Sequence, residues 1–307
     1  AKDAVHSAKS IEDLTTAIDL CQRVVAASST NELGASARRL VAWAHNRRGE
    51  LFIDAGRTAD ALQEFQEAVA NDSQNSLAIH NRAVTLAQQS DFDEALIGFN
   101  RVIELNPGLA IAYHNRAELL AAQGKMDEAV ADYTQAIDSG TDDAELYRGR
   151  AHALQQLGRF EQALADLDNS IRLAPADAQG YTQRGNLLAD RGEYERALED
   201  LEQSLAINPK MAETHRAIAW VKATCPQDRY RDAYQALGAA KKAVKLSPQD
   251  DYLALDALAA AHANAGEFDK AIENQRHAIS NAPADAAKLM QSRLNLYEQH
   301  QPYRTWQ

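Results

Sequence analysis

Cysteine is scarce. Cys21 and Cys225 are the only two in 307 residues. They stand more than half the chain apart, and a disulfide needs Cα atoms within about 7 Å. Both read as small buried hydrophobes or free thiols. No histidine stands near Cys225 to activate it, so it is not read as a nucleophile. Proline (7) and glycine (14) are also few, and they fall at regular intervals, as punctuation between elements and not as linker. No apolar run approaches the roughly 18 residues of a membrane span. A basic surplus is missing too: the net charge is −12, which argues against nucleic acid or an anionic membrane as partner. There is no phosphate-cradling glycine loop, no HExxH pair and no GxSxG elbow, so an enzyme is disfavoured and no cofactor or metal is expected. The chain opens on Ala1, without Met and without a signal-type apolar segment. A removed leader and a trimmed start are both compatible with that, so the compartment, cytoplasmic or exported, stays open.

What the sequence does contain is a period. Small residues recur every 34 positions at Gly49, Ala83, Ala117, Ala151, Gly185 and Ala219. A second row holds Ala61, Ala95, Ala129, Ala163 and Ala197. A fixed period of 20–50 residues marks a solenoid, a propeller or an array. Within 110–143, Tyr113, Ala117 and Leu120 share one helix face, and Ala129, Tyr133 and Ala136 share another. Gly124 breaks the two helices apart, and Pro107, Pro175, Pro209, Pro248 and Pro283 each follow a second helix.

This pattern resembles the tetratricopeptide repeat (TPR) family, in the bacterial manner of a Thr-Cys-Pro turn at 224–226. The resemblance covers 42–75, 76–109, 110–143, 144–177 and 178–211 without a gap. A sixth unit, 212–250, carries an inserted turn, and a seventh spans 252–285. It implies an all-α fold, a right-handed superhelical solenoid of helix-turn-helix repeats with N- and C-terminal capping helices. Residues 1–41 are expected to hold a helix over 10–27 and the start of a long helix, Asn31 to about Ala55, jutting beyond the stack. Residues 286–307 are expected to supply the capping helix and tail, with Leu289, Leu294, Leu296 and Tyr297 covering the last repeat.

One departure stands out. Where the family usually has Leu, this chain has Arg48, Arg82, Arg116, Arg150 and Arg184. A carboxylate recurs on the second helix at Glu64, Asp132, Asp166 and Asp200, with Gly98 in the remaining place. An anion-binding ladder and a row of internal ion pairs both fit; arginines inside packed layers are normally paired, which favours the second.

By the resemblance, the concave groove is lined by the fifth and ninth residue of each unit. The candidate ligand residues are Asn46, Glu50, His80, His114, Glu118, Arg148, His152, Asn186, Arg216 and Trp220. His80, His114 and His152 are read as solvated groove residues, since neighbouring repeats hold equivalent side chains roughly 10 Å apart, too far to share a metal. A polar groove of mixed charge suits an extended polar peptide or protein segment. The expected function is a non-catalytic interaction scaffold. The alternative is a self-associating assembly protein, a homo-oligomer built through the long helix or the ends.

Overall fold

The computed structural model describes residues 10–28 and 31–305, which contain sixteen α-helices and no strand. It divides into two compact units, one to Asp142 and one from Asp143. In the first unit α1 (Ile11–Ala27) packs on α2 (Glu32–Asp54), and α2 pairs with α3 (Thr58–Asn71). The pairs α4 (Ser76–Gln88) with α5 (Phe92–Leu105) and α6 (Ala110–Ala122) with α7 (Met126–Asp138) follow. In the second unit the pairs are α8 (Ala144–Gln156) with α9 (Phe160–Leu173), α10 (Ala178–Asp190) with α11 (Tyr194–Ile207), α12 (Ala212–Thr224) with α13 (Ala233–Leu246), and α14 (Tyr252–Asn264) with α15 (Phe268–Asn281). The last helix, α16 (Ala284–Glu298), lies against α15.

In six of the seven pairs the turn is made the same way. After α6, Gly124 takes φ +76°, the Gly124 amide donates to Ala121 O and the Lys125 amide donates to Leu120 O at 2.9 Å. Two carbonyls that the helix end leaves over are thereby satisfied, and the chain reverses in three residues. Ser90 does the same work at φ +65° after α4.

The small-residue rows lie where helices cross most closely. Ala61, Ala95, Ala129, Ala163 and Ala197 are fully buried. A Cβ built on Gly49 would stand 2.6 Å from the Phe65 ring, and one on Gly185 would stand 2.8 Å from Leu201 Cγ. The core is therefore thin and alanine-rich, with Phe65, Phe99, Leu167, Leu187, Leu188 and Leu201 filling what remains.

Two expectations about the ends change. The long α2 does not jut: Leu14, Ala17, Ile18 and Cys21 of α1 pack against its Val41 and Ala44, and Gly34 and Ala37 are buried. The α1 sequence carries enough apolar face to cover the extra turns. At the other end Leu294 and Tyr297 are buried with Met290, but Leu289 is 66% exposed. Leu289 stands one position from Met290 and falls off the stripe that faces α15. Part of the expected N-terminal segment, 1–9, and of the tail, 306–307, lies outside the described residues.

Candidate ligand groove

The arginine row is spent internally. Arg116 Nε and Nη2 donate to the two oxygens of Asp132 at 2.6 and 2.7 Å, and its Nη1 donates to Asn100 Oδ1 at 2.7 Å. Arg48 holds Glu64 by the same fork at 2.8 Å and reaches Thr15. In the second unit Arg150 holds Asp166, and Arg184 holds Asp200 and adds Asp168 through Nη1 at 2.7 Å. Each fork ties the first helix of a pair to the second, and the Nη1 of Arg116 and of Arg184 reaches back to the pair before. Burial alone would raise the Glu64 carboxyl, but hydrogen bonds from His45 and Arg48 hold it below the usual carboxylate range. Arg82 is the exception: opposite Gly98 it has no hydrogen bond or ion pair, and its Nε is buried without an acceptor.

The candidate groove residues separate into floor and rim. In the first unit Asn46, His80 and His114 are buried, each below 9% exposed. For the first two, the next repeat's first helix supplies a partner: Asn81 donates to Asn46 Oδ1 at 3.0 Å, and Asn115 Nδ2 lies 3.2 Å from His80 Nε2. Glu50 accepts from Asn46 and Arg47, while Glu118 is exposed, 3.6 Å from His114. The reading of His80 and His114 as solvated is therefore corrected: each is packed inside its own repeat, with its ring against Phe99 or Tyr133 of the paired helix. His152, in the second unit, is exposed. Arg148 is committed to Asp177 and approaches Glu145.

Further along the second unit, the first helices and α16 line an open pocket of about 370 Å³. Its walls include Gln155 of α8, Asn186 and Asp190 of α10, Arg216 and Trp220 of α12, Asp256 of α14 and Arg293 of α16. Asp256 is saturated: Arg293 grips it at 3.0 and 2.8 Å, and Gln275 donates to it at 2.8 Å. Asn186 donates to Glu213 at 3.2 Å. Arg216 makes no hydrogen bond or ion pair, although the charge of Asp256 is near enough to act on it. Its guanidinium is thus a set of donors left over at a wall that also offers the Trp220 ring.

Family models for the tetratricopeptide repeat match residues 6–76 and 80–144, 144–177 and 178–211. The chain belongs to the tetratricopeptide repeat family. No curated protein matches the sequence. Among solved structures, a TPR protein from Parabacteroides merdae is 17% identical, with a TM-score of 0.64 over 83% of this chain and 97% of that one. PilF of Pseudomonas aeruginosa is 17% identical, with a TM-score of 0.59 over 70% and 94%. YrrB, described as a TPR protein with an unusual peptide-binding site, is 23% identical, with a TM-score of 0.50 over 62% and 95%. These likenesses show the fold. TPR folds are in general protein-interaction modules, so the partners to be sought are proteins.

Against the usual TPR turn, the end of α12 differs, and what completes it was not foreseen. The Cys225-Pro226 insertion replaces the left-handed residue, so the last carbonyls of α12 need other donors. Asp232 N takes Lys222 O, Arg231 takes Cys225 O, Arg304 takes Ala223 O, and the Thr305 amide and hydroxyl take Thr224 O. The extended tail 301–305 therefore returns to the sixth repeat. Its Tyr303 ring lies 5.9 Å from Trp220, with Arg293 within 5.3 Å of Trp220 and 5.6 Å of Tyr303. The tail thus packs on two residues of the pocket wall. Also unforeseen is a buried trio of hydroxyls, Thr182, Ser204 and Thr214, bonded at 2.6–3.1 Å. Hydroxyls both donate and accept, which lets three of them satisfy one another in a dry place. Burial pushes both cysteine thiols up, away from nucleophilic use.

The buried His80 gives this TPR stack a pH dependence. Burial lowers its pKa, and Asn115 donating to Nε2 favours the neutral ring. A histidine held neutral in the fold costs stability once the unfolded chain takes up a proton, below about pH 6.5. Unfolding free energy is expected to fall as pH drops from about 6.5 towards 5, and less steeply in His80→Gln. Equal slopes in urea titrations of the two proteins would refute this role.

Proposed function

We propose that the chain is a non-catalytic scaffold whose concave groove holds an extended, polar protein segment. The α10–α12–α14 pocket is its main anchoring point, and Arg216 receives a carboxylate from the bound segment. The observation that carries this reading is the combination at one wall: an unspent guanidinium, an aromatic ring and the amides of Asn186 and Gln155 around about 370 Å³. That is room for one or two side chains, with apolar contact for affinity and few polar groups for orientation. In the second unit His152 serves as a rim contact; in the first unit Glu50 and Glu118 hold the corresponding places, and Asn46, His80 and His114 are buried.

The test is affinity capture with the full chain, then titration of the retained protein against variants. Arg216→Ala is expected to weaken binding by roughly 10-fold or more, the value of a charge-assisted hydrogen bond. Arg148→Ala, already committed to Asp177 in the free chain, is expected to do less. Full-strength binding by Arg216→Ala, with unchanged helicity, would place the partner on another face. The self-assembly reading makes a different forecast: a molar mass by light scattering that rises with concentration.

A further inference from the structure

In four layers of the arginine row a carboxylate from the paired helix fills the guanidinium fork, at 2.6–2.8 Å. In the fifth, the residue at that place on α5 is Gly98, which has no side chain to offer. Nor is there room for one as the helices stand: a Cβ on Gly98 would lie 2.7 Å from Ala83 Cβ. Arg82 therefore keeps its charge, and its buried Nε has no acceptor. A buried donor left without an acceptor is unfavourable, and an incoming acceptor relieves it. Arg82 as a whole is only part-buried, as Arg48 and Arg116 are with side chains 15% and 21% exposed, so the outer part of its side chain meets solvent.

We infer that Arg82 is a docking point for a carboxylate carried by a partner polypeptide, an Asp or Glu side chain that meets the part-buried guanidinium from the solvent side, next to Gly98. The occupant's chemistry is set by the neighbouring layer, where Arg116 takes a planar carboxylate with Nε and Nη2 together. A polypeptide is favoured over a free ion because the adjoining residue, Ile97, is 57% exposed and offers an apolar contact that an ion does not use. This site lies in the first unit and stands independently of the groove proposed above.

Arginine Nε–H signals of the full, ¹⁵N-labelled chain provide the test, with Arg82→Gln identifying the Arg82 peak. Under acetate titration the Arg82 peak is expected to shift and saturate, half-way on the order of 10 mM. The peaks of Arg48, Arg116, Arg150 and Arg184, already bound to carboxylates, stay in place. An acetylated, amidated Ile-Glu-Gly peptide is expected to saturate the same peak at a concentration several-fold lower. A83G/G98D rebuilds the layer in the manner of Gly185 and Asp200, and its Arg82 peak no longer responds to acetate. If that variant does not fold, the wild-type titrations decide alone. No saturable shift up to molar acetate overturns the site. Tighter binding of inorganic phosphate overturns the carboxylate assignment, and a peptide no better than acetate overturns the polypeptide.

Discussion

Asp132→Ala is expected to destabilise the chain by about 3 kcal/mol, the usual range for removing one partner of a buried ion pair being 3–5 kcal/mol. The size follows from what remains. Asp132 is buried and gives both oxygens to Arg116, whose side chain is only 21% exposed. Without it, Arg116 keeps Asn100 alone and holds an unbalanced charge between two helices. The exposed pair Arg23–Asp19 is the control, since both side chains are more than half exposed, and Asp19→Ala should cost less than about 1 kcal/mol. Arg116→Leu/Asp132→Ala restores the leucine usual in the family and leaves no buried charge. It is expected to recover most of the loss, because an apolar replacement for a buried pair is often neutral or better. Urea unfolding followed by circular dichroism reads all three. A double variant as unstable as Asp132→Ala would show that the pair does more than balance charge.

Phe65→Ala is expected to cost about 3–5 kcal/mol. The ring is 1% exposed and packs in the cluster with Phe52 and Ala61, pressed against the bare Cα of Gly49. Deleting it leaves a void that the α2–α3 crossing cannot close without moving both helices. Gly49→Ala alone is expected to destabilise by about 1–3 kcal/mol, as overpacking does, since the new methyl group meets the ring at 2.6–3.0 Å. In the Phe65→Ala background the same change gains room, and the two effects should not add. Additive losses in thermal or urea unfolding would mean that the ring and the glycine do not share this space.

The repeat was legible because it is written many times over. Thirty-four-residue spacing picked out the helix crossings, the arginine-carboxylate forks and the odd layer at Gly98, each of which the structure shows. The floor of the groove was harder to read. Asn46, His80 and His114 occupy the fifth place of their units, but whether that place is wet depends on how far the next first helix leans over it, which the sequence of one repeat does not encode. Asn81 and Asn115, which close the floor, were one position away from the row under consideration. The tail was opaque for the opposite reason. Residues 301–305 belong to no repeat, so no register points them at α12, and their target exists only because Cys225-Pro226 denies that helix its usual turn.

Two inner hairpins present an arginine to the one before them, which meets it with a polar acceptor on its second helix. Arg116 reaches back to Asn100, and Arg184 reaches back to Asp168. Such an interface is head-to-tail, and a head-to-tail interface can be repeated without limit unless its rotation closes a ring. A duplicated 34-residue segment therefore arrives with both halves of the connection already in place, and a stack of this kind can lengthen by copying without inventing a contact. The same property makes an open end hazardous, because another molecule's hairpin would fit it as well. At α16 the pattern changes: its arginine, Arg293, is turned onto Asp256 and the aromatic pair Trp220–Tyr303, and not onto a carboxylate of a helix that follows it.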